Sequence, residues 1–79
     1  MVRNVLIRTE RKNKSVDTQA VIMTLSKEAA NLEMLMEAEE LYEDYEEVES
    51  SETQKVFKDP INDVEITLSI CQVAELTKS

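Results

Sequence analysis

The residues of this chain most able to do chemistry are carboxylates, and they are concentrated in one stretch. Residues 37–52, EAEELYEDYEEVESSE, contain nine Asp or Glu and no Lys or Arg. No basic residue occurs between Lys27 and Lys55. Clustered carboxylates can do acid–base work in a cleft, hold a hard metal ion or bind a basic partner. The element that carries them decides which of these applies.

A single amphipathic helix over about 26–48 is predicted to carry these carboxylates. Ser26 is a good N-cap, and nearly all the residues that follow are strong helix formers. Such a helix would be about 33 Å long, at a rise of about 1.5 Å per residue. Its apolar residues gather on one side: Ala30, Met34, Leu35, Ala38, Leu41, Tyr42, Tyr45 and Val48.

The carboxylates on this predicted helix form a row and a second cluster beside it. The row follows spacings of four and three residues, through Glu33, Glu37, Glu40, Asp44 and Glu47. The cluster consists of Glu39, Glu43 and Glu46. Like charges at this spacing destabilise a helix by roughly a few tenths of a kcal/mol per pair, and carboxylates near its C-terminus oppose the helix dipole. The cost favours a docking surface for a basic partner, although a solvated acidic face without a function is the alternative.

The predicted partner-binding residues combine the acidic row with two aromatic residues. They are Glu33, Glu37, Glu40, Glu43, Asp44, Glu47, Tyr42 and Tyr45. The two tyrosines either cap the core with their hydroxyls in water or serve as aromatic anchors in a charged interface.

Two β-hairpins are predicted on either side of the helix. The first has strands at 4–11 and 17–25 around a turn at 12–15, with Asn13 at positive φ. On its second strand, one face would carry Val21, Met23 and Leu25. The second hairpin has strands at 53–58 and 64–72 around a turn at 59–63. Its last strand alternates clearly, with one apolar face formed by Val64, Ile66, Leu68 and Ile70.

These elements predict one small α+β domain over residues 1–79, with the order ββαββ. The amphipathic helix would pack on one face of an antiparallel sheet made of the two hairpins. The tail from Val73 onwards would add a short turn of helix or fray.

Composition argues against several classes of function. The chain has no His, no Gly and one Cys. It therefore lacks the usual near-neutral acid–base group, a phosphate-binding glycine loop and an internal disulfide. The acidic stretch lacks the alternating ligands and central Gly of a calcium loop. We expect no enzymatic activity, no cofactor and no metal site.

The charge and the N-terminus bear on location and partners. The net charge of −8 disfavours nucleic acid and acidic membranes as partners. The N-terminal apolar run is broken by Arg8, which is atypical of a signal peptide or a membrane span. We therefore expect a cytoplasmic protein with no membrane contact.

Three functional hypotheses follow. The first is an inhibitor or modulator that docks its acidic helix on a basic, nucleic-acid-handling protein. The second is a structural subunit of a homo-oligomer, most simply a dimer, because so small a core is thin and open sheet edges favour association. The third is a DNA binder that uses the basic hairpin residues Arg3, Arg8, Arg11, Lys12 and Lys14.

In length, acidity and lack of catalytic motifs, the chain resembles small accessory proteins of phages and mobile elements, many of which inhibit or redirect a host protein. This analogy rests on general properties and on no particular residues.

Overall fold

The structure is a computed structural model, and it describes residues 2–74. It confirms an α+β fold in which one helix packs on an antiparallel sheet. The elements are β1 Val2–Lys12, β2 Ser15–Thr24, α1 Lys27–Leu41, β3 Glu46–Ser50, β4 Gln54–Asp59 and β5 Val64–Ala74. The order is therefore ββαβββ, with one strand more than predicted.

All five strands form one sheet in the order β2–β1–β5–β4–β3, and every neighbouring pair is antiparallel. The two predicted hairpins join because β1 pairs with β5 along its whole length, from Val2 opposite Ala74 to Lys12 opposite Val64. The edge strands are β2 and β3.

The first hairpin has its turn where the sequence predicts it. Asn13 adopts a φ of 56°, a conformation that asparagine tolerates better than most residues. The predicted apolar face of β2 is wrong, because the strand contains a bulge. Leu6 pairs with Ile22 while Ile7 pairs with Ala20, which leaves Val21 as an extra residue.

The bulge changes which side chains of β2 are covered. Val21 and Ile22 are adjacent in sequence, yet both pack partly against the core. Met23 is 54% exposed and Leu25 is 60% exposed. The three residues predicted to share one face of β2 therefore do not share one environment.

The start of α1 is as predicted, but its end is not. The Ser26 hydroxyl accepts a hydrogen bond from the Ala29 backbone N–H at 3.1 Å. The helix ends at Leu41 and not near Val48. There the Leu41 carbonyl accepts from the backbone N–H groups of both Asp44 and Tyr45, at 3.3 and 2.8 Å, and the chain turns.

Residues 46–50 form β3, although the first three of them were predicted to be helical. Continuing the helix would have crowded carboxylates at its C-terminal end, against the helix dipole. As an edge strand, the same segment gains backbone pairing with β4 and spreads its charges into solvent. Of the predicted apolar stripe, the buried members are Ala30, Met34, Ala38 and Leu41. The exposed ones are Leu35, Tyr42 and Val48.

The turn between β4 and β5 is organised by Asp59. Its carboxylate accepts hydrogen bonds from the Asn62 side chain at 2.8 Å and from the Ile61 backbone N–H at 2.9 Å. The Asn62 side chain first, and the backbone donors after it, lower the pKa of Asp59. The turn closes with Asp63 at a φ of 53°. In the tail, Val73 and Ala74 continue β5, and residues 75–79 lie outside the described part.

The core lies between α1 and one face of the sheet. Its largest fully buried side chains are Phe57, Leu6, Ile66 and Leu68. The predicted apolar face of β5 is confirmed, with Val64 buried as well and Ile70 partly buried. The opposite face of the sheet, here called the open face, is covered by no helix within residues 2–74. At its centre Val5 lies between Met23 on β2 and Cys71 on β5.

Truncation of the most central side chain tests this assignment of the core. Phe57→Ala should lower the free energy of unfolding by about 3–5 kcal/mol, because it removes a fully buried ring and leaves a cavity. The control is Ile61→Ala in the adjacent turn, where the side chain is 89% exposed; this change should stay within about 0.5 kcal/mol of the parent. Urea unfolding followed by circular dichroism measures both, and equal losses would contradict the assignment.

Candidate functional site

The predicted partner-binding residues fall on three different elements. The helix carries Glu33, Glu37 and Glu40, the turn after it carries Tyr42, Glu43, Asp44 and Tyr45, and β3 carries Glu47. The predicted straight row is therefore wrong beyond Leu41, because Asp44 and Glu47 are not helical. Two members of the row, Glu37 and Glu47, are moreover engaged inside the molecule.

Glu37 forms an ion pair with the first strand. Its Oε2 lies 3.4 Å from Arg8 Nη1, and both side chains are more than two-thirds buried. The contact ties the middle of α1 to β1, the strand beneath it. Glu37 is thus a structural carboxylate.

The Glu47 carboxylate is contacted by two side chains, those of Tyr42 and Lys55. The Tyr42 hydroxyl donates to Glu47 Oε2 at 2.7 Å, and Lys55 Nζ lies 3.8 Å from the same oxygen. The Lys55 ammonium also donates to Ser50 Oγ at 2.6 Å. These contacts connect the turn, β3 and β4, and Lys55 is only 8% exposed.

Sequence reasoning overlooked Lys55, although a signal was present. Lys55 and Phe57 lie two residues apart on the predicted strand 53–58, so their side chains share one face. Phe57 is the strongest core candidate of that strand. A lysine on the buried face of a strand requires an acidic or polar partner, and the nearest carboxylates in sequence lie in the stretch before it.

The two tyrosines occupy different environments. The Tyr42 ring packs edge-on against Phe57, with centroids 5.4 Å apart and planes at 74°, while the residue remains 51% exposed. The hydrogen bond to Glu47 raises the pKa of the Tyr42 phenol, with smaller effects from burial and from the negative charge. Tyr45 is half-buried and packs against the core.

A set of exposed carboxylates remains around the end of the helix, the turn and β3. Among residues 2–74, none of its members makes an ion pair. We call this set the acidic edge; it consists of Glu39, Glu40, Glu43, Asp44, Glu46, Glu49 and Glu52. Three of these side chains border an open depression together with Met36.

Charge is strongly segregated along the described chain. Residues 2–24 hold five Lys or Arg against two acidic residues, which gives +3. Residues 25–74 hold three Lys against fourteen acidic residues, which gives −11. In the basic hairpin, Arg8 pairs with Glu37, and Arg11 lies 3.5 Å from Glu65. Lys12 and Lys14 at its tip are exposed.

Other chemistry finds little support in the geometry. Within residues 2–74, no group of three or more potential ligands is placed to hold a metal ion. The helix of the described chain is too short and too polar to cross a membrane. Comparison of the chain with protein-family models, curated protein sequences and solved structures finds no match.

The Tyr42–Glu47 hydrogen bond can be tested by titration. In a Tyr45→Phe background only Tyr42 ionises as a phenol, and its absorbance midpoint near 295 nm should lie above the ordinary value of 10.0. Glu47→Gln should move the midpoint back toward that value, whereas Glu49→Gln should not. Because the folded-state pKa is raised, the stabilisation is complete below the unfolded pKa and is lost as the pH rises through the folded pKa. An identical midpoint with and without Glu47 would refute the interaction.

The contribution of Lys55 can be separated from that of a surface lysine on the same strand. Lys55→Ala should cost about 1–3 kcal/mol of unfolding free energy, because Glu47 and Ser50 lose a charged partner in a half-buried site. Lys58→Ala should cost less than about 1 kcal/mol, since Lys58 is half exposed and Glu65, its partner, also lies near Arg11. Chemical denaturation of both variants supplies the comparison. Equal losses would show that the buried ammonium stabilises the fold no more than an exposed one.

Proposed function

We propose that the protein is a small binding module that docks its acidic edge on a basic surface of another protein. One observation carries the proposal: within residues 2–74, the seven carboxylates of the acidic edge are all exposed and none forms an ion pair. Two neighbouring carboxylates whose side chains are less than a third exposed do have a cation, since Arg8 faces Glu37 and Lys55 faces Glu47. Two cations thus serve carboxylates that the fold partly buries, and none lies along the acidic edge.

The acidic edge is held on ordered backbone. The Leu41 carbonyl closes the turn that carries Glu43 and Asp44, and the pairing of β3 with β4 fixes Glu46 and Glu49. A surface that is already ordered loses less conformational entropy on binding than a flexible acidic tail would. This favours recognition of a defined partner surface over diffuse attraction to any cation.

The chemistry of the edge indicates the class of partner. A surface of many carboxylates attracts Lys- and Arg-rich proteins over a distance, which raises association rates and makes binding salt-sensitive. Proteins that bind nucleic acid neutralise its phosphates with concentrated Lys and Arg side chains. The specific form of the proposal is therefore a cytoplasmic inhibitor or modulator that occupies such a groove.

Competition with nucleic acid tests the proposal. The tagged protein should retain DNA- or RNA-binding proteins from a cell lysate, and duplex DNA or moderate salt should release them. Glu39→Lys with Glu43→Lys should reduce this retention at least about tenfold, because opposite charges become like charges at the interface. The control reverses two carboxylates away from the edge, Glu10→Lys with Glu28→Lys, and so has the same net charge. The control variant should retain nearly as much DNA- or RNA-binding protein as the parent does.

Two results would contradict the proposal. In the first, duplex DNA fails to release the retained proteins. The other is an equal loss in both charge-reversed variants, which would show that only the total charge matters and that the acidic edge is not a docking surface.

A further inference from the structure

We infer that β2 is an association edge, on which β2 of a second copy pairs in antiparallel orientation about a two-fold axis at Thr18. The two five-stranded sheets would become one continuous sheet of ten strands. This surface is separate from the acidic edge, because β2 and β3 lie at opposite ends of the strand order. The inference is therefore independent of the proposed function.

The two edges of the sheet differ in how they are protected. On β3, three of five residues are Glu, and charged side chains on an edge strand hinder pairing with another chain. β2 is twice as long, with ten residues, and carries a single charge at Asp17. Neither Lys nor Pro interrupts it, and six successive residues from Ser15 to Ala20 are exposed. Against pairing, β2 has this one carboxylate, that of Asp17, and the bulge at Val21.

The segregation of charge limits the repulsion between two copies, despite the net charge of −8. β2 belongs to the hairpin with the +3 charge, and the acidic edges of two joined copies would lie at the far ends of the extended sheet. With the two-fold axis at Thr18, the tip residues Lys12 and Lys14 of one copy lie level with the end of β2 of the other, and not against its acidic edge.

The register follows from the pleat, the bulge and the charge of Asp17. Directly opposed residues of an antiparallel pair lie on the same face, so the two-fold axis must pass through a residue. The regular part of β2 ends at Ala20, before the bulge, and only axes at Asp17 or Thr18 give five or more regular pairs. An axis at Asp17 would set that carboxylate against its own copy, which is destabilising. An axis at Thr18 sets Asp17 against Gln19.

This register also joins apolar side chains. It places Val16 of each copy opposite Ala20 of the other on the open face, and Val16 is 62% exposed in the single chain. The contact would remove part of the apolar surface of Val16 from water, which is favourable. Met23, on the same face, would lie next to the new seam.

Sedimentation of the full chain tests the dimer. A single chain has a mass of 9.1 kDa, and the parent should sediment at twice this mass at high micromolar concentration. Thr18→Lys sets two ammonium groups against each other at the axis and should raise the dimer dissociation constant at least about tenfold. Val48→Lys adds the same charge to the opposite edge strand and should leave the constant within about twofold. Thermal unfolding followed by circular dichroism establishes that both variants fold.

Disulfide formation tests the register. In a Cys71→Ser background, Thr18→Cys puts one thiol on the axis, where its partner lies within the Cα separation of about 4.4–6.8 Å that disulfides require. Mild oxidation with oxidised glutathione should give a covalent dimer. The matched control is Val16→Cys on the same face, whose thiol would lie roughly 13 Å from its own copy at about 3.3 Å per residue. It should remain monomeric under denaturing conditions.

A parent that sediments as a monomer up to about 0.5 mM, where weak specific association would be visible, would overturn the inference. A dimer that Thr18→Lys leaves intact would overturn it as well, as would equal cross-linking of the two single-cysteine variants.

Discussion

The pairing of β1 with β5 is the interaction on which the rest of the structure depends. It joins two segments that are far apart in the chain through eleven opposed pairs of residues, and without it the two hairpins would be separate ribbons of two and three strands. The helix packs on strands of both ribbons, namely β1, β2 and β5. Once joined, the ribbons present Leu6, Ile66 and Leu68 on one face beneath α1. The entropy of closing so long a loop is offset only when this face is covered, so the sheet and the helix stabilise each other.

The same pairing decides which strands become edges, and it thereby separates two kinds of surface. β2 and β3 are left on the outside, one nearly uncharged and the other rich in Glu. An edge loaded with carboxylates resists strand addition but attracts basic side chains, whereas an uncharged edge accepts a strand. A single small sheet can in this way carry one surface for a copy of itself and another for a partner of opposite charge.

The parts of the fold that local physical chemistry determines could be predicted from sequence. Ser26 caps the helix because its hydroxyl accepts from the Ala29 N–H and strong helix formers follow it. Asn13 takes the positive φ of the first turn in a chain that has no Gly. The alternation from Val64 to Leu68 likewise reveals the buried face of β5. Each of these features involves residues within a few positions of one another.

The errors arose where distant contacts override local preference. Residues 42–48 favour a helix by propensity, yet Tyr42 makes a T-shaped contact with Phe57, and Glu47 on β3 pairs with Lys55. Phe57 and Lys55 lie eight or more residues after their partners in the sequence. A helical wheel compares only residues within one predicted helix, so it does not detect these contacts. The bulge at Val21 is also set by packing, because it allows both Val21 and Ile22 to touch the core. As a result, the sequence predicted which carboxylates form the candidate site but not how they are arranged. They lie on a helix end, a turn and an edge strand, and not on one straight helix.

The end of the helix connects the stability of the fold to the surface that we propose for binding. A helix through Val48 would have lined up its carboxylates near its C-terminus, where the dipole and their mutual repulsion both oppose them. Because the helix ends at Leu41, its carboxylates are dispersed and part of this cost is removed. The Glu47 carboxylate is then free to accept from Tyr42 and to pair with Lys55. The repulsion that remains lies among the exposed members of the acidic edge. It is a cost that solvent and salt reduce in the free protein, and that a basic partner would remove more fully, because its cations would be held at short range. The acidic edge, whose carboxylates repel one another in the free protein, would therefore be stabilised by binding a basic partner.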